Sequence, residues 1–142
     1  MTCPLCSPSP HIDILWQDDF CRVVLLHDAD YPAYCRVELI SHVKEMSNLE
    51  PLSQTRLMRV VFAVEAAMIA LIKPDKINLA SLGNKTPHLH WHVIPRFEND
   101  KHFPNSHWGL SVRETKSPPL SSPQLLQLQE KIKKHIACAL QN

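Results

Sequence analysis

The chain has 142 residues, 44% apolar and 20% charged, with a formal net charge of +1 at pH 7. That length suits a single domain that buries a core without covalent staples, and the composition excludes a collagen-like, coiled-coil or disordered chain. Near-zero charge argues against a partner held by bulk electrostatics, so neither nucleic acid nor an anionic membrane is expected.

Residues 1–10 are too proline-rich for a helix and open with Cys3-Pro4-Leu5-Cys6. The start shows no basic n-region and no apolar h-region, so a cytoplasmic protein is expected. Its five cysteines, an odd number, argue against a disulfide framework. Three short β-like runs follow. Ile12, Ile14 and Trp16 alternate with polar neighbours. Cys21 to Leu26 is rich in β-branched and aliphatic residues. Tyr34 to Ile40 alternates Val37 and Leu39 with Arg36 and Glu38. Asp28 to Pro32 reads as the turn between the second and third.

A helix is predicted over Ser53 to Ile72, capped by Ser53 and stopped by Pro74. Leu57, Val61, Val64, Met68 and Leu71 form its apolar stripe. Thr55, Arg59, Ala63, Ala66 and Ala70 form a second, smaller stripe that fits a core contact or a subunit interface. The run Val60 to Ile72 is too short to span a bilayer and contains Glu65. Two more strands are expected at Ile77 to Leu82 and Leu89 to Ile94, with a loop at Gly83-Asn84 and a proline stop at Pro95. Phe97 to Pro119 has no periodicity and reads as a long loop. A last helix opens at Ser122-Pro123, with Ser at N-cap and Pro at N1. Leu125, Leu128, Ile132 and Ile136 form its apolar face, and Lys131, Lys133 and Lys134 a solvated one. The order predicts an α+β domain over 1–142 with a five-stranded, mainly antiparallel sheet and two helices.

The chemistry concentrates in His88-Leu89-His90-Trp91-His92-Val93-Ile94-Pro95-Arg96, which holds three of the nine histidines. On a strand the three imidazoles share one face, about 6.6 Å apart, while Leu89, Trp91 and Val93 face a core. Three meanings are open: a polar face that happens to be histidine, a metal site, or a phosphate site in which a neutral imidazole attacks phosphorus. Only two glycines exist, against about 10 at average usage, so a phosphate site must be built from side chains rather than a glycine-rich loop.

His88 to Ile94 resembles the signature of the histidine triad (HIT) family, His-φ-His-φ-His-φ-φ with φ apolar, at every position. The resemblance runs from about residue 3 to about residue 109, and Pro95-Arg96 is typical of it. It looks closest to bacterial HIT-type nucleotide hydrolases of the diadenosine polyphosphate hydrolase kind. It implies a HIT core over 1–110, followed by a linker and C-terminal helix over 111–142, and a homodimer with adjoining sheets. It also implies attack of His90 on the α-phosphate of a nucleotide ester, anhydride or phosphoramidate, giving a nucleotidyl-histidine that water hydrolyses. His88 and His92 would assist, and no metal would be required for catalysis. The small-molecule partner would be a nucleotide, and the alternative is a nucleotide-binding or regulatory module without significant turnover.

Further positions carry over from the family. Asp28, in Leu26-His27-Asp28, resembles the acidic residue that grips the ribose hydroxyls. Asn78 resembles an upstream phosphate contact. Asn84 and Lys85 stand where the family has an amide and a hydroxyl, Lys85 departing from that pattern. His107-Trp108-Gly109 lies where members place a tryptophan near the leaving group. Several HIT-type proteins complete a Cys-x-x-Cys zinc site with a histidine after the third strand and the first histidine of the triad. Here those ligands are Cys3, Cys6, His42 and His88. The competing assignment leaves the cysteines metal-free and puts His42 and His88 in the phosphate pocket.

Overall fold

The computed structural model describes residues 2–141. Five strands, β1 (Asp13–Gln17), β2 (Cys21–Leu25), β3 (Cys35–Leu39), β4 (Lys76–Ala80) and β5 (His90–Arg96), form one sheet in the order β1-β2-β3-β5-β4. Every neighbouring pair is antiparallel. Helix α1 (Pro51–Ile72) connects β3 to β4, and α2 (Ser122–Leu140) ends the described chain. The α+β architecture is therefore the one expected.

Strand alternation divides the residues cleanly. Cys21, Val23, Leu25, Cys35, Val37, Leu39, Leu89, Val93 and Ile77 point to one side, where they join Leu57, Val61, Val64 and Met68 of α1 and Leu128, Ile132 and Ile136 of α2 in one hydrophobic cluster. Arg22, Tyr34, Arg36, Glu38, His90 and His92 belong to the opposite alternation. On that side Arg36 is in register with His92 and Glu38 with His90.

Element ends differ from expectation at three prolines. Helix α1 begins at Pro51, whose fixed φ and missing N–H suit a first helical position, so Ser53 lies inside the first turn rather than capping it. In α2 the cap is Ser121, whose side chain accepts from Gln124 N while Gln124 reaches back to the cap N–H; Pro123 is thus the second helical residue. Pro95 does not stop β5. Pairing with β3 ends at Val93, and Pro95 continues opposite Ile77 of β4. Its missing N–H costs no ladder bond where only one neighbour flanks the strand. Helix α1 stops after Ile72 with Lys73 in the left-handed region at φ 53°. No helix among the described residues is long and apolar enough to cross a membrane.

Candidate active site and metal centre

The histidine face is buried rather than solvated: His88, His90 and His92 are 0%, 7% and 7% exposed. His88 lies two residues before β5, whereas His90 and His92 are strand residues.

Backbone carbonyls settle two tautomers, because a carbonyl only accepts. His90 Nδ1 is 2.6 Å from the His88 carbonyl oxygen, so Nδ1 carries the proton and donates. Its Nε2 is left with the lone pair. His88 Nε2 is 2.7 Å from the Leu39 carbonyl oxygen and donates to it, which leaves the lone pair on Nδ1. Adjacent histidines of the triad thus present opposite nitrogens. The His90 carbonyl accepts from Ser81 Oγ at 2.9 Å, which holds the strand against β4 at this point.

The His88 Nδ1 lone pair faces Cys3 Sγ at 3.4 Å, Cys6 Sγ at 3.4 Å and His42 Nδ1 at 3.3 Å; Cys6 Sγ and His42 Nδ1 are 3.3 Å apart. The four ligand atoms lie within 4.8 Å of one another and could hold a metal ion. Tetrahedral zinc with sulfur at about 2.3 Å and nitrogen at about 2.0 Å spaces its ligands about 3.3–3.8 Å apart, so the donor set and its spacing both fit. The Leu39 carbonyl supplies the outer hydrogen bond that a ligating histidine ordinarily makes. Burial holds the His88 pKa below its usual value. Arg22 donates to the Leu5 carbonyl between the two cysteines and, through Nε at 2.8 Å, to Glu38. Glu38 also accepts from Arg36 Nε at 2.6 Å. Two guanidinium groups therefore flank the buried Glu38 carboxylate, whose strand position pairs with His90.

His92 has different surroundings. Its Nδ1 is 2.6 Å from the Tyr34 hydroxyl, its ring meets His90 edge-on at 5.0 Å, and Trp108 covers it at 4.9 Å. Burial first, then its nearness to His90, Arg36 and His107, pulls its pKa down to about 4. His92 is a neutral imidazole at pH 7.

The long segment after β5 is organised by Asp100. Burial would raise this carboxyl, but hydrogen bonds from Arg96 and from the Phe97, Phe103 and His102 amides hold it well below the usual carboxylate range. Arg96 Nε donates at 2.7 Å. The segment then carries His107 and Trp108 back over β5. His107 Nε2 lies 3.2 Å from Asp28 Oδ2, and its ring packs edge-on to Tyr31, Tyr34 and Trp108. Its Nδ1 is buried with no partner among the described residues.

The structure thus gathers Cys3, Cys6, His42 and His88 into one cluster, and His90, His92 and Trp108 into another, with Asp28 at its margin through His107. Asn78 pairs with Ile94 on the triad's face of the sheet, and its Oδ1 accepts from Arg96 Nη1 at 2.7 Å, with no hydrogen bond to the triad among the described residues. Asn84 and Lys85 are exposed, outside a polar cavity of about 230 Å³ beside His88 and His90 that Lys44, Glu45 and Ser81 help to line. Tyr34, His107 and Ser81 carry no local sequence signal. Tyr34 begins an ordinary strand, and His107 lies in a stretch without periodicity.

Residues 10–99 match the HIT domain family model. The comparison with curated proteins returns no match. Among solved structures the chain is similar to a histidine triad protein from Bradyrhizobium japonicum, at 25% identity and TM-score 0.71, over 88% of this chain and 90% of that one. It is similar to a histidine triad protein from Marinobacter aquaeolei VT8 at 28% identity and TM-score 0.69, over 89% and 90%. A zinc-bound histidine triad family protein from Mycobacterium smegmatis shares the fold at 17% identity and TM-score 0.70, over 97% and 98%. The family match covers more than half the sequence and contains the three histidines whose hydrogen bonds are described above: the chain belongs to the histidine triad (HIT) domain family.

Proposed function

We propose that this chain is a nucleotide hydrolase or nucleotidyl transferase that works through a covalent intermediate on His90. The observation that carries the reading is the His90 Nδ1 hydrogen bond to the His88 carbonyl, which leaves Nε2 as the nitrogen that can attack. Its lone pair attacks the α-phosphorus of a nucleotide ester, anhydride or phosphoramidate in line. The bond from phosphorus to the leaving group breaks, and the leaving group departs with the electron pair. Water then attacks the same phosphorus and gives up one proton, which neutralises the departed leaving-group anion; the N–P bond returns its electrons to His90, and a nucleoside monophosphate leaves. His92 and the electropositive surroundings of the site stabilise the phosphoryl oxygens.

The reading gives Asp28 to the ribose hydroxyls, which then replace His107 as its partner, and Trp108 to the leaving-group side. Asn84 and Lys85 serve a polyphosphate from the exposed loop, and Asn78 acts through Arg96. Cys3, Cys6, His42 and His88 hold a structural zinc, which ties the N-terminal turn to the start of β5 when bound. The spacing of these four ligands supports metal over a phosphate-binding role for His42 and His88. A homodimer is supported by Phe62 and Ile69, half-exposed on α1, and by the position of β4 at the sheet edge. A reducing, cytoplasmic setting keeps Cys3 and Cys6 as free thiols, which zinc binding would deprotonate.

The test is a panel of dinucleoside polyphosphates, nucleoside phosphoramidates and nucleotidylated sugars run on wild type and His90→Ala. Release of nucleoside monophosphate by wild type and none by His90→Ala is expected. Tight binding of a monophosphate with no turnover of any substrate supports the non-catalytic binding module instead.

A further inference from the structure

Two buried imidazoles stand side by side in this site, His90 and His92, and either could in principle attack phosphorus. What distinguishes them is the group that faces each Nδ1. For His90 it is a carbonyl, which forces the proton onto Nδ1. For His92 it is the Tyr34 hydroxyl at 2.6 Å, a group that can donate or accept.

Three observations decide the direction. Tyr34 is 2% exposed, and His92 Nδ1 is the hydrogen-bond partner at its hydroxyl. If His92 donated, the phenolic proton would be buried without an acceptor, a cost on the order of 1–3 kcal/mol. A phenol is also the better donor of the two and an imidazole nitrogen the better acceptor, as their acidities dictate. Burial raises the Tyr34 pKa further, so the hydroxyl keeps its proton. The Tyr34 O–H therefore donates to His92 Nδ1, and the His92 proton sits on Nε2.

We infer that Tyr34 is a positioning residue that fixes His92 as a donor, so that a carbonyl and a phenol divide neighbouring imidazoles into one nucleophile and one hydrogen-bond donor. The division explains why His90 attacks and His92 does not. With its Nδ1 lone pair occupied by Tyr34, His92 has only Nε2–H to offer a phosphoryl oxygen. Tyr34 acts only through His92. Its ring also supports His107, at 5.1 Å edge-on, and a phenylalanine preserves that contact.

The inference rests on the proposed reaction at His90, and its test separates the two. A long-range 1H–15N correlation spectrum of uniformly labelled protein at pH 7, assigned with His90→Asn and His92→Asn, reads both tautomers directly. We expect the proton on Nδ1 of His90 and on Nε2 of His92. A proton on Nδ1 of His92 overturns the inference. In Tyr34→Phe, the His92 Nδ1 resonance should move toward that of an unbonded nitrogen. The same variant should lower kcat about tenfold, the ordinary net worth of one hydrogen bond, with KM within about twofold. Wild-type kcat together with an unmoved resonance overturns the role of Tyr34. Activity surviving in His90→Ala instead overturns the underlying reaction, and the tautomer spectrum still reads Tyr34 independently.

Discussion

Acidification should weaken this fold through His92. The side chain is 7% exposed, and its neighbours are ill-suited to a cation. Arg36, His90 and His107 repel it, Glu38 is already bound by Arg22 and Arg36, and Asp28 is engaged by His107. The pKa falls from 6.5 to about 4. Below pH 6.5 the unfolded chain takes up a proton that the folded chain refuses, so stability falls with pH until the folded imidazole itself titrates near 4. Between pH 7 and pH 5 the loss attributable to this one side chain is about 2 kcal/mol, at 1.36 kcal/mol per pH unit. The measurement is urea unfolding of wild type and His92→Asn at both pH values. Asparagine does not titrate, so the variant should lose about 2 kcal/mol less than wild type over the same interval. Parallel losses would refute the reasoning, because His92 would then be protonated in the fold without penalty.

The other predictions concern the supports of the site. Asp100→Asn removes the counter-charge of Arg96, which is 2% exposed, and should cost about 3 kcal/mol in urea unfolding; an unchanged midpoint would contradict the assignment of Asp100 as organiser of the 97–105 segment. Protein purified without chelator should carry about one zinc per chain by native mass spectrometry, and Cys6→Ser should lose the metal and lower Tm. Metal-free wild type would contradict the zinc assignment. Phe62→Glu on the half-exposed stripe of α1 should convert a dimer to a monomer in size-exclusion chromatography at micromolar concentration, whereas an unaltered elution volume would place the interface elsewhere.

Periodicity made the fold legible. Alternation in β3 and β5 assigned each residue to the core or the site face, because the strand repeat leaves two faces and the buried one selects apolar side chains. The apolar stripes of α1 and α2 were equally plain. Proline placement was harder: Pro51 starts a helix and Pro95 continues a strand, since what proline forbids depends on whether its missing N–H has a partner waiting. Within the site, the triad and the Cys-x-x-Cys pair are local patterns and could be read directly. The partnership of Tyr34 with His92, 58 residues away, and that of His107 with Asp28, 79 residues away, had no local pattern. Both depend on a segment without periodicity, or on a strand end, being brought to β5 by tertiary structure. His107 sits where it does because Asp100 collects the amides and the guanidinium that shape the loop, a task that any chain position could have been given.

The central claim is covalent attack by one named nitrogen, and it is tested most directly by trapping the adduct. Wild-type protein quenched during turnover of a dinucleoside polyphosphate or a nucleoside phosphoramidate, digested and mapped by mass spectrometry, should carry a nucleoside monophosphate on His90, labile in acid and stable in alkali. A nucleotidyl group found on His88 or His92, or full turnover by His90→Ala with no adduct, would contradict the account.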